Sequence, residues 1–259
     1  SFEIDKINLI EISEELGIPK ETVRRKINEL SNDGVVERSG KRIILKVNAF
    51  QKQRPVKTVK TLSSFLAICS SLISSESKLL PSVPKESIES FIRANFTLIW
   101  RFYFKTQIPT MIDWRKYYGD LETWVVTSVV LINQSLKLRD LYKGKGITMD
   151  LNTMTNEDKF SKVYEFIFSN SDKVVGVNAS SIAEITGIPR ATVIRKLKYA
   201  SKFGLLRRDE NQLYVSKKLS TAKMKEFAKI ASTIQERTYK FIGTFFELYK
   251  NKAQLPQAK

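Results

Sequence analysis

The sequence predicts a mainly α protein with small β-hairpins, in which a helix–helix–hairpin unit occurs twice, a helical region joins the copies and a long helix closes the chain. Three observations lead there. Residues Ile7 to Lys46 align with Val177 to Ser216 at a constant offset of 170, without a gap. Lys57 to Lys143 carry a helical pattern punctuated by Pro81, Pro84, Pro109 and Gly119, residue types that end or redirect helices. Ser220 to Lys250 set Met224, Phe227, Ile230, Ile234, Phe241, Phe245 and Leu248 along one stripe, as a single amphipathic helix requires.

The identities in the repeat fall where a backbone needs particular residues. Asn8 matches Asn178, Ile12 matches Ile182, Glu14 matches Glu184, and Gly17-Ile18-Pro19 matches Gly187-Ile188-Pro189. Thr22-Val23 matches Thr192-Val193, Arg25-Lys26 matches Arg195-Lys196, Gly34 matches Gly204, and Arg38 matches Arg208. Self-similarity in one register implies two copies of one structural unit.

Each copy opens at Asn8 or Asn178, whose side-chain oxygen suits an N-cap, and Glu11 completes a capping box in the first. The helix that follows packs through Ile12 or Ile182 and stops at Gly17 or Gly187, where glycine takes the left-handed conformation without steric cost. Ile18 or Ile188 fills the turn, and Pro19 or Pro189 opens the next helix. That second helix has Val23, Ile27 and Leu30 on one face, or Val193, Leu197 and Ala200, at the spacing of a buried stripe. After Gly34 or Gly204 come two short strands, Val35-Val36 with Arg42 to Leu45, or Leu205-Leu206 with Gln212 to Val215, joined by the polar tips Ser39-Gly40 and Asp209-Glu210-Asn211. The second copy has a further helix before it, over Phe160 to Phe168. Residues 1–7 are too short to supply its counterpart, which is expected upstream of Ser1 or from another segment.

With Ile182-Ala183-Glu184, Gly187-Ile188-Pro189-Arg190-Ala191-Thr192-Val193 and Gly204-Leu205-Leu206 in this order, the sequence resembles the winged helix-turn-helix modules of bacterial transcription regulators of the IclR, MarR and GntR kind. The expected fold is therefore two winged helix-turn-helix modules joined by a helical region, with double-stranded DNA as the partner. The resemblance covers about 45 residues in the first copy and about 60 in the second. A recognition helix enters the major groove near its N-terminus, where Arg or Lys pairs with guanine and Asn with adenine. Helical geometry turns Glu21, Arg25 and Asn28 outward in the first copy, with Lys20 and Arg24 on the flank; the second copy has Ala191, Arg195 and Lys198, flanked by Arg190 and Ile194. Arg25 and Arg195 are the leading candidates for base contact. The hairpin cations Arg38, Lys41 and Arg42, and Arg207 and Arg208, suit phosphate or minor-groove contact. For each exposed Arg or Lys, an ordinary solvated helix face is the competing reading. Because the two faces differ at Glu21 against Ala191, Arg24 against Ile194 and Asn28 against Lys198, one chain should favour an asymmetric site over a palindrome.

The expected boundaries are 1–50 for the first module, 51–145 for the helical region, 146–218 for the second module and 219–259 for the C-terminal helix and tail. In the helical region, helices are expected near 57–76, 84–106, 110–117 and 120–140, with Thr110 and Asp113 capping the third. Phe96, Trp100, Phe102, Tyr103, Phe104, Trp114, Tyr117, Tyr118 and Trp124 form an aromatic concentration that reads first as core or interface, and second as a small-molecule effector pocket. Tyr142 to Gly146 reads as a basic linker. The C-terminal helix is expected to pack on the central helices or to pair with a second subunit as a homodimer.

Composition narrows the function classes. The chain has 44 Lys and Arg against 27 Asp and Glu, a net charge of +17 that commonly accompanies polyanion binding. The surplus is uneven: residues 1–50 hold nine basic and nine acidic groups, whereas 158–218 hold twelve and six. Histidine is absent and there is one cysteine, Cys69, so the usual general base and the common zinc ligand sets are missing. No nucleophile elbow or glycine-rich nucleotide motif appears, and the expectation is no enzyme, no metal and no cofactor. The apolar runs Phe96 to Phe104 and Val125 to Ile132 are shorter than a membrane span, and with no signal pattern or disulfide pair the expected location is the cytoplasm. A transcription regulator is the first reading. A plasmid or phage replication initiator or partition protein is the second, and a winged-helix protein-interaction scaffold the third.

Overall fold

A computed structural model describes residues 2–3, 9–39, 42–45, 55–77, 80–143 and 154–253. It is mainly helical with short strands, and the chain divides into two units, Ser1–Phe96 and Thr97–Lys259.

In the first unit, α1 (Leu9–Leu16) and α2 (Lys20–Asn32) are followed by β2 (Val36–Ser39) and β3 (Arg42–Leu45). Gly17 ends α1 with φ of +60°, and the Ser13 hydroxyl donates to the Ile18 carbonyl at 2.6 Å, holding the turn. Val23, Ile27 and Val36 are buried, with Leu9, Ile12, Ile18, Val35 and Ile43 packed around them. Leu30, expected in this stripe, is 40% exposed. Its counterpart at the offset of 170, Ala200, is fully buried where its helix lies against a neighbouring helix, a cover that the described residues do not give Leu30. Phe2–Glu3 forms β1, which pairs antiparallel with β3, so the sheet order is β1-β3-β2. Residues too few for a helix thus extend the wing. Asn8, the expected cap, lies outside the described residues.

Further along the first unit, α3 (Val56–Glu76) packs on α4 (Lys85–Ala94) through Val59, Leu62 and Leu66 on one side and Ile88 and Ile92 on the other. Ser70 is buried between them and its hydroxyl accepts the Val83 amide at 2.9 Å. α3 is long and apolar enough to cross a membrane by length and composition alone, with a mean hydropathy of 1.3 over its most apolar stretch; it lies apart from the two shorter apolar runs that stand out in the sequence.

The helix expected over 84–106 is two helices, broken at Asn95, whose amide and side chain both donate to the Phe91 carbonyl. Beyond the break, α5 (Phe96–Tyr118) contains Pro109 in its interior. Thr110 is therefore no cap: its hydroxyl donates to the Thr106 carbonyl, and Asp113 accepts from Arg237 at 2.6 Å. A proline costs an interior helix one hydrogen bond and about 3 kcal/mol, which burial of Ile99, Trp100, Trp114, Tyr117 and Tyr118 on both sides of it outweighs.

The second unit continues with α6 (Leu121–Tyr142), α7 (Asn156–Ser169), α8 (Ala179–Thr186), α9 (Arg190–Lys202), the hairpin β4 (Leu206–Arg208) and β5 (Tyr214–Ser216), and α10 (Thr221–Ala253). α8 and α9 span the residues of α1 and α2 shifted by 170 at every boundary. α10 lies on α7, with Phe227 against Tyr164 and Phe168, and reaches α5 through Phe241 on Tyr103 and Arg237 on Asp113. Part of the aromatic concentration is core: Trp114, Tyr117 and Tyr118 are buried in one cluster with Ile182, Val193, Leu197 and Leu206, whereas Phe96, Phe102, Tyr103 and Trp124 are half-buried and Phe104 is exposed. The second hairpin returns at Tyr214, not Gln212, because Gln212 has φ of +60° and closes the turn with its amide on the Asp209 carbonyl. Of the expected basic linker, Tyr142 and Lys143 end α6, and 144–146 lie outside the described residues.

Candidate nucleic-acid interface

α9 is set in place at both of its sides. On its N-terminal side Asn178 caps α8, accepting the Ser181 amide at 2.8 Å, and Gly187 takes the left-handed turn at φ of +70°. The three-residue turn Gly187-Ile188-Pro189 then starts α9. On its inner face Val193, Leu197 and Ala200 are buried. Lys196 also points inward: its ammonium lies 2.8 Å from Asp120 and 3.2 Å from Glu122, and its side chain is only 14% exposed. Asp120 is at the same time the N-cap of α6, accepting the Thr123 amide at 2.8 Å. Burial works to raise the Asp120 carboxyl, but its hydrogen bonds from Lys196 and Thr123 outweigh that and hold it below the ordinary carboxylate value.

The outer edge of α9 is different. Ala191, Arg195, Lys198 and Lys202 are exposed at the i, i+4, i+7, i+11 spacing of one helix face. α9 contains no Asp or Glu, and among the described residues no carboxylate pairs with Arg195, Lys198 or Lys202. Arg190 is exposed at the start of the helix and donates to the Ser180 hydroxyl at 3.0 Å. Ile194 does not stand with this edge; it is half-buried against the core cluster. In the hairpin, Arg207 turns back to pair with Asp172 and donates to the Ser171 hydroxyl at 3.1 Å. Arg208 is exposed but ordered, lying over the Tyr214 ring and donating to the Gln212 side chain at 3.1 Å. Lys202 is not among the residues expected from the sequence; extending the outward period by one more turn finds it.

α2 presents a mixed edge. Lys20, Glu21, Arg24, Arg25 and Asn28 are all exposed. Here the cations have partners on their own helix: Arg24 pairs with Glu21, Arg25 lies 3.5 Å from Glu29, and Lys26 lies 2.6 Å from Glu29. The hydrogen bond from Lys26 holds the Glu29 carboxyl below its ordinary value. Glu21, Arg24, Arg25 and Asn28 frame a shallow open groove with Thr22, Glu29 and Asn32. Pairs this exposed contribute little to stability and are readily exchanged for another anion. Lys41 lies outside the described residues, and so do the side chains of Arg38 and Arg42.

In the first unit, α1 and α2, joined by a three-residue turn with a left-handed glycine and followed by the β2–β3 hairpin, have the form of a winged helix-turn-helix. Residues 3–40 match the model of the DeoR-like helix-turn-helix domain, which covers α1, α2 and β2. That segment is thus similar to DeoR-like DNA-binding domains, a similarity that suggests a DNA-binding transcription regulator. Comparison with curated proteins and with solved structures gave no match.

Proposed function

We propose that this chain is a sequence-specific transcription regulator that reads duplex DNA with two diverged recognition helices, α2 and α9, each in its own winged module. The observation that carries the reading is the outer edge of α9. Arg195, Lys198 and Lys202 stand in a row without carboxylates, on a helix whose opposite side is anchored by Val193, Leu197 and the Lys196 ion pairs. A rigid cationic helix edge beside a hairpin is suited to a groove and its flanking phosphates. α2 adds fewer net charges but more varied hydrogen-bonding groups, so α9 supplies most of the phosphate attraction and α2 contributes selectivity through Arg25 and Asn28. Catalysis is no part of this reading.

Selection of bound duplexes from a random pool tests it. An asymmetric consensus with two separate half-sites is expected, and Arg25→Ala and Arg195→Ala should each weaken binding by about 1 to 3 kcal/mol and relax preference at one half-site. A perfect inverted repeat, or two variants with the wild-type profile, would overturn the two-helix reading.

A further inference from the structure

The outward face of α5 carries charge without counter-charge. Phe104, Ile108 and Met111 follow one another at four and three residues and are 40%, 45% and 41% exposed, so they share one side of the helix. Arg101, Lys105 and Lys116 are exposed on that same side. Helical geometry places Arg101 at the N-terminal end of the stripe, and Lys105 and Lys116 on one flank, about 16 Å apart along the axis. Asp113 is the only carboxylate in this helix, and it turns inward to Arg237. Among the described residues no carboxylate pairs with Arg101, Lys105 or Lys116. Arg101 and Lys105 therefore stand one turn apart as like charges, an arrangement that weakens a helix until an anion joins it.

We propose that this face receives an acidic amphipathic helix of another protein, whose apolar side covers Phe104, Ile108 and Met111 and whose carboxylates reach Lys105 and Lys116. Charge decides against the other occupants. A second copy packed parallel would set Arg101 on Arg101, and packed antiparallel would set Arg101 against Arg115. Duplex DNA offers phosphates but no apolar surface that an adjoining Phe, Ile and Met could enter. A helix that lies in a membrane surface has a large apolar side beneath a broad cationic one. Here three partly exposed side chains are edged by lysines on one flank, and the uncharged Gln107 lies on the other. The rest of this sequence supplies no such acidic helix. Outside the described residues its only acids are Asp5 and Asp150. α1, which carries Glu11, Glu14 and Glu15, packs its Leu9 and Ile12 into its own core. Docking on α5 goes beyond the DNA reading and does not require it.

Fluorescence anisotropy with the full chain and two labelled helical peptides of about 18 residues tests the assignment. Both peptides carry leucines along one face; one has glutamates along the flank and the other has lysines. The glutamate peptide should saturate with a dissociation constant of about 10 to 100 µM, and the lysine peptide should bind at least about tenfold more weakly. Lys105→Glu with Lys116→Glu should exchange the two preferences, a gain that a misfolded chain cannot give. Ile108→Asp should weaken the glutamate peptide at least about tenfold with helicity unchanged. Lys198→Ala with Lys202→Ala should leave that peptide's affinity as it is, which separates this face from the α9 edge. Phosphatidylglycerol vesicles should not displace it. No saturation by about 1 mM, equal affinity for the two peptides, indifference to Lys105→Glu with Lys116→Glu, or displacement by the vesicles would overturn the proposal.

Discussion

Arg195 and Lys196 are adjacent in sequence and opposite in role. One ends in solvent on the candidate DNA edge, and the other ties α9 to the N-terminus of α6 through Asp120 and Glu122. Asp120 therefore both caps and pairs, and two substitutions separate these roles. Asp120→Asn keeps an N-cap and loses the charge, with an expected cost of about 0.5 to 1 kcal/mol. Asp120→Ala loses both and should cost about 1 kcal/mol more, or roughly 2 to 4 °C in melting temperature. A carboxyl held low in the folded state stabilises the protein above its ordinary value of 3.8, and that contribution is lost as pH falls through the folded value. Thermal melts between about pH 7 and 3 should accordingly show a shallower acid decline for Asp120→Asn than for the wild type. Equal declines would remove Asp120 from the acid response.

Elements are fixed by neighbours that no single residue announces. The approach to α8 is one case: Val177 bridges to Tyr214, and a Cβ on Gly176 would sit 2.7 Å from the Tyr214 carbonyl oxygen and 2.9 Å from the Leu213 Cβ. Gly176→Ala must push backbone apart there and should destabilise the second unit by about 1 to 3 kcal/mol in chemical denaturation. Gly187→Ala meets nothing nearby and carries only the left-handed strain, about 1 kcal/mol. If Gly176→Ala proved the milder of the two, the close approach at Tyr214 would be wrong. For α9 as an element, removing a cation that neutralises one phosphate should reduce the slope of log affinity against log salt by about 0.9. Lys198→Ala with Lys202→Ala should remove about two such cations, a change that leaves the preferred sequence intact. An unaltered slope would take the α9 edge off the phosphates.

Across the molecule, one buried amide joins elements far apart in sequence. Gln134 on α6 is 1% exposed; its side-chain NH2 donates to the Ile167 carbonyl on α7, and its oxygen accepts the Ser216 amide at 3.1 Å and the Ser216 hydroxyl at 2.9 Å on β5. Gln134→Ala leaves these groups buried and unpaired, and a loss of about 2 to 4 kcal/mol from the second unit is expected in urea unfolding. A loss below about 0.5 kcal/mol would show that the amide is dispensable. Much of this architecture is legible in the sequence. The repeat at offset 170 locates α1 with α8 and α2 with α9, because turn glycines, caps and buried valines are local demands that a backbone makes at fixed positions. The outward edge of α9 follows from helical period alone. What the period does not disclose is the inward course of Lys196, the engagement of Arg207 with Asp172, or the burial of Ile194. Those depend on side chains from elements dozens of residues away. Sequence by itself determined the helix pairs on either side of Gly17 and Gly187, their left-handed turns and the long C-terminal helix, since each rests on interactions within a few residues. Only tertiary structure decided that Pro109 sits inside a helix, that Asn95 breaks one and that Phe227 and Phe241 of the C-terminal stripe pack on α7 and α5, because long-range burial outweighs local preference wherever the two compete.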